Sequence, residues 1–197
     1  PGIQTNDGKN ILIFTLTRPL TVDGSDDGVY TISVTPVNSA KLKGQKLDFT
    51  FTYDTVSPKV NSNDITIWYS SGAGSSLVEV SAKITDETPS SGFDWTNVDN
   101  SWMNLRDSGG KDIPGKVYTN EAESTLRFVL ETPLASNGRD DGFYTVIVTP
   151  MDRGGNVPDP AAQYDFLYDT KPPKLNRSEI TINDQPLLLD STSEAFT

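Results

Sequence analysis

Two stretches set paired carboxylates beside a glycine, Asp26-Asp27-Gly28-Val29-Tyr30 and Asp140-Asp141-Gly142-Phe143-Tyr144. Side chains of these types can hold a metal ion, carry acid/base chemistry or close a turn. The rest of the chain narrows the choice. Its 197 residues include no His and no Cys, which removes thiol nucleophiles, His general bases, Ser-His-Asp triads and ordinary zinc sites. Two carboxylates flanking a sugar are enough for a glycosidase. Every acidic pair here falls in a turn or linker, however, and no catalytic residue or enzyme activity is expected.

Sixteen basic residues stand against 27 acidic ones, a net charge of −11. That balance repels phosphate backbones and anionic lipid heads, so neither nucleic acid nor a membrane surface is an expected partner. The longest apolar runs, such as 11–14 and 146–148, fall far short of the roughly 18 residues a membrane helix needs. With 35% hydrophobic and 22% charged residues, the composition is that of a folded globular protein. The absence of cysteine leaves the compartment open. The start at Pro1-Gly2 reads as the interior of something longer.

The carboxylate stretches belong to an internal repeat. Tyr144 follows Tyr30 by 114 residues, as Phe128 follows Phe14, Leu130 follows Leu16 and Pro133 follows Pro19. Tyr53-Asp54-Thr55 returns 115 residues later as Tyr168-Asp169-Thr170, and Ile65-Thr66-Ile67 as Ile180-Thr181-Ile182. A unit of this size matches a whole small domain rather than a solenoid repeat. The expected organisation is residues 1–57 as the C-terminal half of one copy, 58–172 as a complete copy and 173–197 as the start of a third.

Within a copy, apolar residues alternate with polar ones, as in Tyr30, Ile32 and Val34 against Thr31 and Ser33, which is the period of half-buried strands. The complete copy offers seven such segments, at 64–69, 77–86, 102–106, 115–119, 125–131, 143–150 and 164–168, and no convincing amphipathic helix. Seven short strands in one small unit, punctuated by Gly, Pro, Asn and Asp, predict an all-β fold. Its form is an antiparallel, immunoglobulin-like β-sandwich in tandem.

The segments "SGFDW" at 91–95, "GGKDIPG" at 109–115, "DDGFYTVIVTPMDRGGN" at 140–156 and "YDTKPPK" at 168–174 together carry a resemblance. As a set they resemble the immunoglobulin-like repeats of large bacterial cell-surface and adhesin-type proteins, over the whole repeat. The resemblance implies an extracellular spacer or adhesive module whose neighbours are further copies of itself. It also implies that calcium can sit at the junctions, as it does in some relatives.

With strands placed, each motif acquires a position. The Asp-Asp-Gly-aromatic-Tyr stretch precedes the sixth strand, where a tyrosine corner sends a hydroxyl back to nearby backbone, and it reads as a turn. A calcium site fits elsewhere. In such a sandwich the second-to-third and sixth-to-seventh loops lie at the end reached by the incoming linker. Those segments carry Asp54, Asp86, Glu87, Asp152 and Asn156, all oxygen ligands of the kind calcium takes. The alternative is that Asp86 and Asp152 merely close their loops. In the first copy Asn38 takes the place of Asp152, and Lys41, Lys43 and Lys46 intrude, so no site is expected there.

Trp102 is expected in the core and Trp95 as a plug at the sandwich end, with glycan stacking as the alternative. The incomplete pieces have apolar faces without a full partner, and exposed edges recruit strands. The segment 180–189 is therefore expected to complete another chain's half copy by strand exchange, with a disordered tail as the alternative. The overall expectation is a secreted or surface-anchored, non-enzymatic spacer or adhesive stalk. The alternative is a module that binds carbohydrate or protein as an accessory to an enzyme.

Overall fold

The computed structural model describes residues 2–6, 11–70, 76–99, 101–174, 181–182 and 185–186. The first strands are β1 (Gly2–Asn6), β2 (Ile11–Thr15), β3 (Gly28–Val34) and β4 (Leu47–Tyr53). They pair as two antiparallel ribbons, β1 with β2 and β3 with β4. Seven more follow: β5 (Ile65–Tyr69), β6 (Leu77–Lys83), β7 (Met103–Asp107), β8 (Gly115–Asn120), β9 (Thr125–Leu134), β10 (Gly142–Val148) and β11 (Ala162–Tyr168). They form a four-stranded sheet in the order β5-β6-β9-β8 and a three-stranded sheet in the order β7-β10-β11, and every pairing is antiparallel. The protein is all-β, and these two sheets make a sandwich.

The core lies where alternation points both sheets inward. Val80 and Ala82 of β6, Leu126, Phe128 and Leu130 of β9, and Tyr144, Val146 and Val148 of β10 are buried together with Leu105, Phe166 and Tyr168. Trp102, the residue before β7, is buried with them, as expected from the sequence. The strands lie where the alternation put them, with ends displaced by a few residues. The second stops at Lys83 because its backbone then changes partner. The Ile84 N–H reaches the Ser124 carbonyl at 2.8 Å, and Thr85 pairs with Lys59 of the linker at 2.9 and 2.7 Å. That change of partner carries Asp86 to the linker.

The ribbons repeat four strands of the sandwich, β8 to β11. A shift of 114 residues carries β10 onto β3 and the Lys116↔Val129 register of β8 and β9 onto Gly2↔Thr15 of β1 and β2. A shift of 115 carries β11 onto β4, with Tyr168 falling on Tyr53. Strands corresponding to β5, β6 and β7 have no counterpart beside β2 and β3 among the described residues. Most of segment 180–189 lies outside the described residues. Thr181–Ile182 (β12) and Gln185–Pro186 (β13) pair with one another. No helix of the described residues is long and apolar enough to cross a membrane.

Candidate metal centre

Both Asp-Asp-Gly stretches are turns, and their carboxylates are hydrogen-bond acceptors. Tyr144 donates its hydroxyl to the Asp140 carbonyl at 2.7 Å, and Tyr30 does the same to Asp26. The first carboxylate of each pair fastens the preceding loop. Asp140 accepts from the Ala135 N–H at 2.7 Å and Asp26 from the Thr21 N–H at 2.8 Å, each with an arginine alongside, Arg139 or Arg18. Those arginines are the leading cause of the depressed pKa at both aspartates. The second carboxylate holds the outgoing chain. Asp141 takes the Thr170 N–H and hydroxyl at 3.1 and 2.7 Å, and Asp27 takes those of Thr55, both at 2.9 Å. Thr170 leads the causes that keep Asp141 below the ordinary carboxylate value.

The grip on Thr55 fixes its neighbour Asp54, which follows β4. Asp54 is 7% exposed. Its Oδ2 accepts from the Ser91 N–H at 2.7 Å, and its carbonyl accepts from Asn156 Nδ2 at 2.9 Å. Asp152 follows β10 and is 1% exposed. Its Oδ1 accepts from the Asn156 N–H at 2.9 Å and its Oδ2 from Asn156 Nδ2 at 2.8 Å. Only glycine fits at 154, where a Cβ would stand 2.9 Å from the Asp54 carbonyl oxygen and 3.1 Å from Asp152 Oδ1. Asp86, beyond β6, accepts from the Ser90 hydroxyl at one oxygen. Its other oxygen, Oδ1, is buried without a hydrogen-bond partner.

Asp54, Asp86 and Asp152 each bring a carboxylate oxygen within 4.8 Å of the others. Among the described residues no ion pair reaches any of the three. The pKa of Asp86 is raised, first by burial and then by the charges of Asp54 and Asp152. Like charges gathered out of water are relieved by a proton or by a cation. The spacing suits a cation: two oxygens bound at 2.3–2.6 Å to one calcium ion lie at most about 5.2 Å apart. The donors are all oxygens, and the unpaired Asp86 Oδ1 is free to bind, so these residues fit a hard divalent ion.

Of the five residues singled out in the sequence, three therefore form the cluster. Asn156 stands beside it as a brace whose amide donates to Asp152 and Asp54. Glu87 does not join. It is exposed and pairs with Lys59 across the linker, because adjacent residues of an extended chain point to opposite sides. Ser90 and Ser91, which hold Asp86 and Asp54, were not singled out. The signal was available, since hydroxyl residues following Asp are common turn formers.

The sixth-to-seventh loop of the first copy provides an internal comparison. Asn38 exchanges backbone and side-chain hydrogen bonds with Leu42 at 3.1 and 3.0 Å, as Asp152 does with Asn156 at 3.2 and 2.9 Å. The residue before Leu42, Lys41, has φ 64°, and the residue before Asn156, Gly155, has φ 83°. The turn therefore forms with a neutral Asn at its start and a leucine at its end. It demands neither the charge of Asp152 nor the amide of Asn156.

The aromatic residues take three roles. Trp95 is half-buried, edge-on to Phe93 at 5.2 Å, whereas Trp102 is in the core and Trp68 is exposed.

No protein-family model and no curated protein sequence matches the chain. Among solved structures it is similar to the surface layer protein SbsC, domains 1–6. The identity is 17% and the TM-score 0.40, over 60% of this chain and 14% of that one.

Proposed function

We propose that the chain is a non-enzymatic structural module, an immunoglobulin-like repeat serving as a spacer or adhesive stalk of a secreted or cell-surface protein. Its joint is braced by calcium at Asp54, Asp86 and Asp152. The observation that carries this reading is the position of Asp54. It belongs to the linker that leaves one copy, yet it is buried with its carboxylate among those of two loops of the next. A cation there ties the linker to both loops at once, and the matching holds of Asp27 on Thr55 and Asp141 on Thr170 support the same fastening at each copy's end. Three carboxylates from separate loops, supplemented by carbonyls and water, suit the modest affinity useful where calcium is abundant, outside the cell. The four-over-three strand order supports the immunoglobulin-like assignment.

The test is a calcium titration of chelator-treated protein, read by calorimetry and by thermal melting. Binding to the folded state alone stabilises by about 2.7 kcal/mol at a hundredfold excess over Kd. A melting point several degrees higher is therefore expected. Asp152→Asn abolishes the calcium response while the loop still folds, as Asn38 shows for the same turn. Absence of both binding heat and a melting shift rejects calcium at this joint.

A further inference from the structure

The loop between β9 and β10 carries the chain's sole Asn-Gly pair, Asn137-Gly138. Asn137 is exposed, and its Oδ1 accepts from the Arg139 N–H at 3.1 Å. A donor on that oxygen draws charge from Cγ and opens it to attack, and a glycine next in the chain has no side chain to shield its nitrogen. Gly138 has φ 84°, and Lys171 lies over it. A Cβ there would stand 2.5 Å from Lys171 Cε and 3.2 Å from its Nζ. The same ammonium is 3.6 Å from Asp141.

We infer that Asn137 is a self-modification site, which the folded chain deamidates with the assistance of Lys171. The Gly138 nitrogen gives up its proton and attacks Asn137 Cγ. The new C–N bond closes a cyclic imide, and the side-chain nitrogen leaves as ammonia with the proton. Water then opens the imide to a carboxylate, and nothing is oxidised or reduced. Breaking the new bond gives aspartate, whereas breaking the original peptide bond gives isoaspartate. The attack passes through an anionic nitrogen and an oxyanion, and an ammonium at this distance favours both. Afterwards the same ammonium faces the new carboxylate.

The first copy already contains the aspartate form. A shift of 114 residues places Asp23-Gly24 on Asn137-Gly138. Asp23 Oδ1 accepts from the Ser25 N–H at 3.1 Å, and Gly24 has φ 83°, so an aspartate makes the turn that Asn137 makes. A shift of 115 places Val56 on Lys171, and Val56 Cγ2 would lie 3.3 Å from a Cβ at Gly24. The cation thus accompanies the amide and is replaced by an apolar group beside the acid. The reaction uses nothing of the metal centre. It adds a negative charge to the corner where Asp140 and Asp141 hold the loop and the outgoing linker.

The test holds the full chain, folded, for days in mildly alkaline buffer and follows it by peptide mapping with mass spectrometry. Expected is the mass gain of an amide becoming an acid, located at Asn137, with ammonia released in step. Lys171→Val copies the first copy at a side chain that is 69% exposed, so the fold is kept. That variant is expected to react about two- to fivefold more slowly, the size of effect an exposed charge supports, and to match the wild type in denaturant. Two results overturn the inference: an Asn137 that stays unchanged while the chain is folded, or a folded Lys171→Val that reacts as fast as the wild type or faster.

Discussion

An aspartate is a different chemical object at Asp140 and at Asp86. At Asp140 an arginine and a backbone N–H favour the charged form. At Asp86 burial and two neighbouring carboxylates oppose it, holding the group above its ordinary value of 3.8. A carboxyl with a raised folded-state pKa binds its proton more tightly in the folded chain. Its contribution to stability is thus present below 3.8 and is lost as pH rises through the raised value. In chelator, the wild type is expected to lose stability across that window relative to Asp86→Asn, and calcium is expected to remove the difference at neutral pH. Thermal melts at stepped pH check this, and parallel curves for the two proteins would contradict it. At the corner, Tyr144→Phe removes the donor to the Asp140 carbonyl and is expected to cost about 1 kcal/mol. The drop of several degrees in melting point is read in the same assay.

At the scale of the strand, identical side chains have different energetics in the two copies. Phe128→Ala empties a site in the packed core, where such a deletion costs about 3–5 kcal/mol. Phe14→Ala acts on a ring that is 44% exposed and is expected to cost less than about 1 kcal/mol. Denaturant melts of the two variants measure the contrast, and equal costs would mean that β2 is covered in solution. The same pair shows what the sequence could and could not disclose. The alternation of Leu12, Phe14 and Leu16 marks a strand as clearly as that of Leu126, Phe128 and Leu130, and the seven strands of the sandwich were legible for that reason. Burial was not legible, because it depends on whether a partner strand lies alongside. The end of β6 was hidden similarly, since Thr85 continues in extended form but pairs with Lys59. The site was half legible. Loop placement brought Asp54, Asp86 and Asp152 together, but which of the adjacent Asp86 and Glu87 turns inward is decided by the local path of the backbone.

At the scale of the whole molecule, the joint is a short linker held from both sides. Asp27 grips Thr55 from the first copy, while Ser91 and Asn156 bond Asp54 from the second. The weak point is the charge gathered there, because three carboxylates within 4.8 Å of one another push the linker away from its loops unless a cation or proton neutralises them. Lys59 reports on that balance. Its backbone is paired with Thr85 and its ammonium with Glu87, so a protease reaches the bond after it only when the linker lifts. Local opening governs cleavage when closing is fast. Trypsin is therefore expected to cut after Lys59 several-fold faster in chelator than in calcium, and the ratio is expected to fall to one in Asp54→Asn. Cleavage after Lys116, on a strand of the sandwich remote in sequence from the linker, serves as the reference for global unfolding. If calcium slows both cuts equally, it stabilises the sandwich as a whole and the joint is not its point of action.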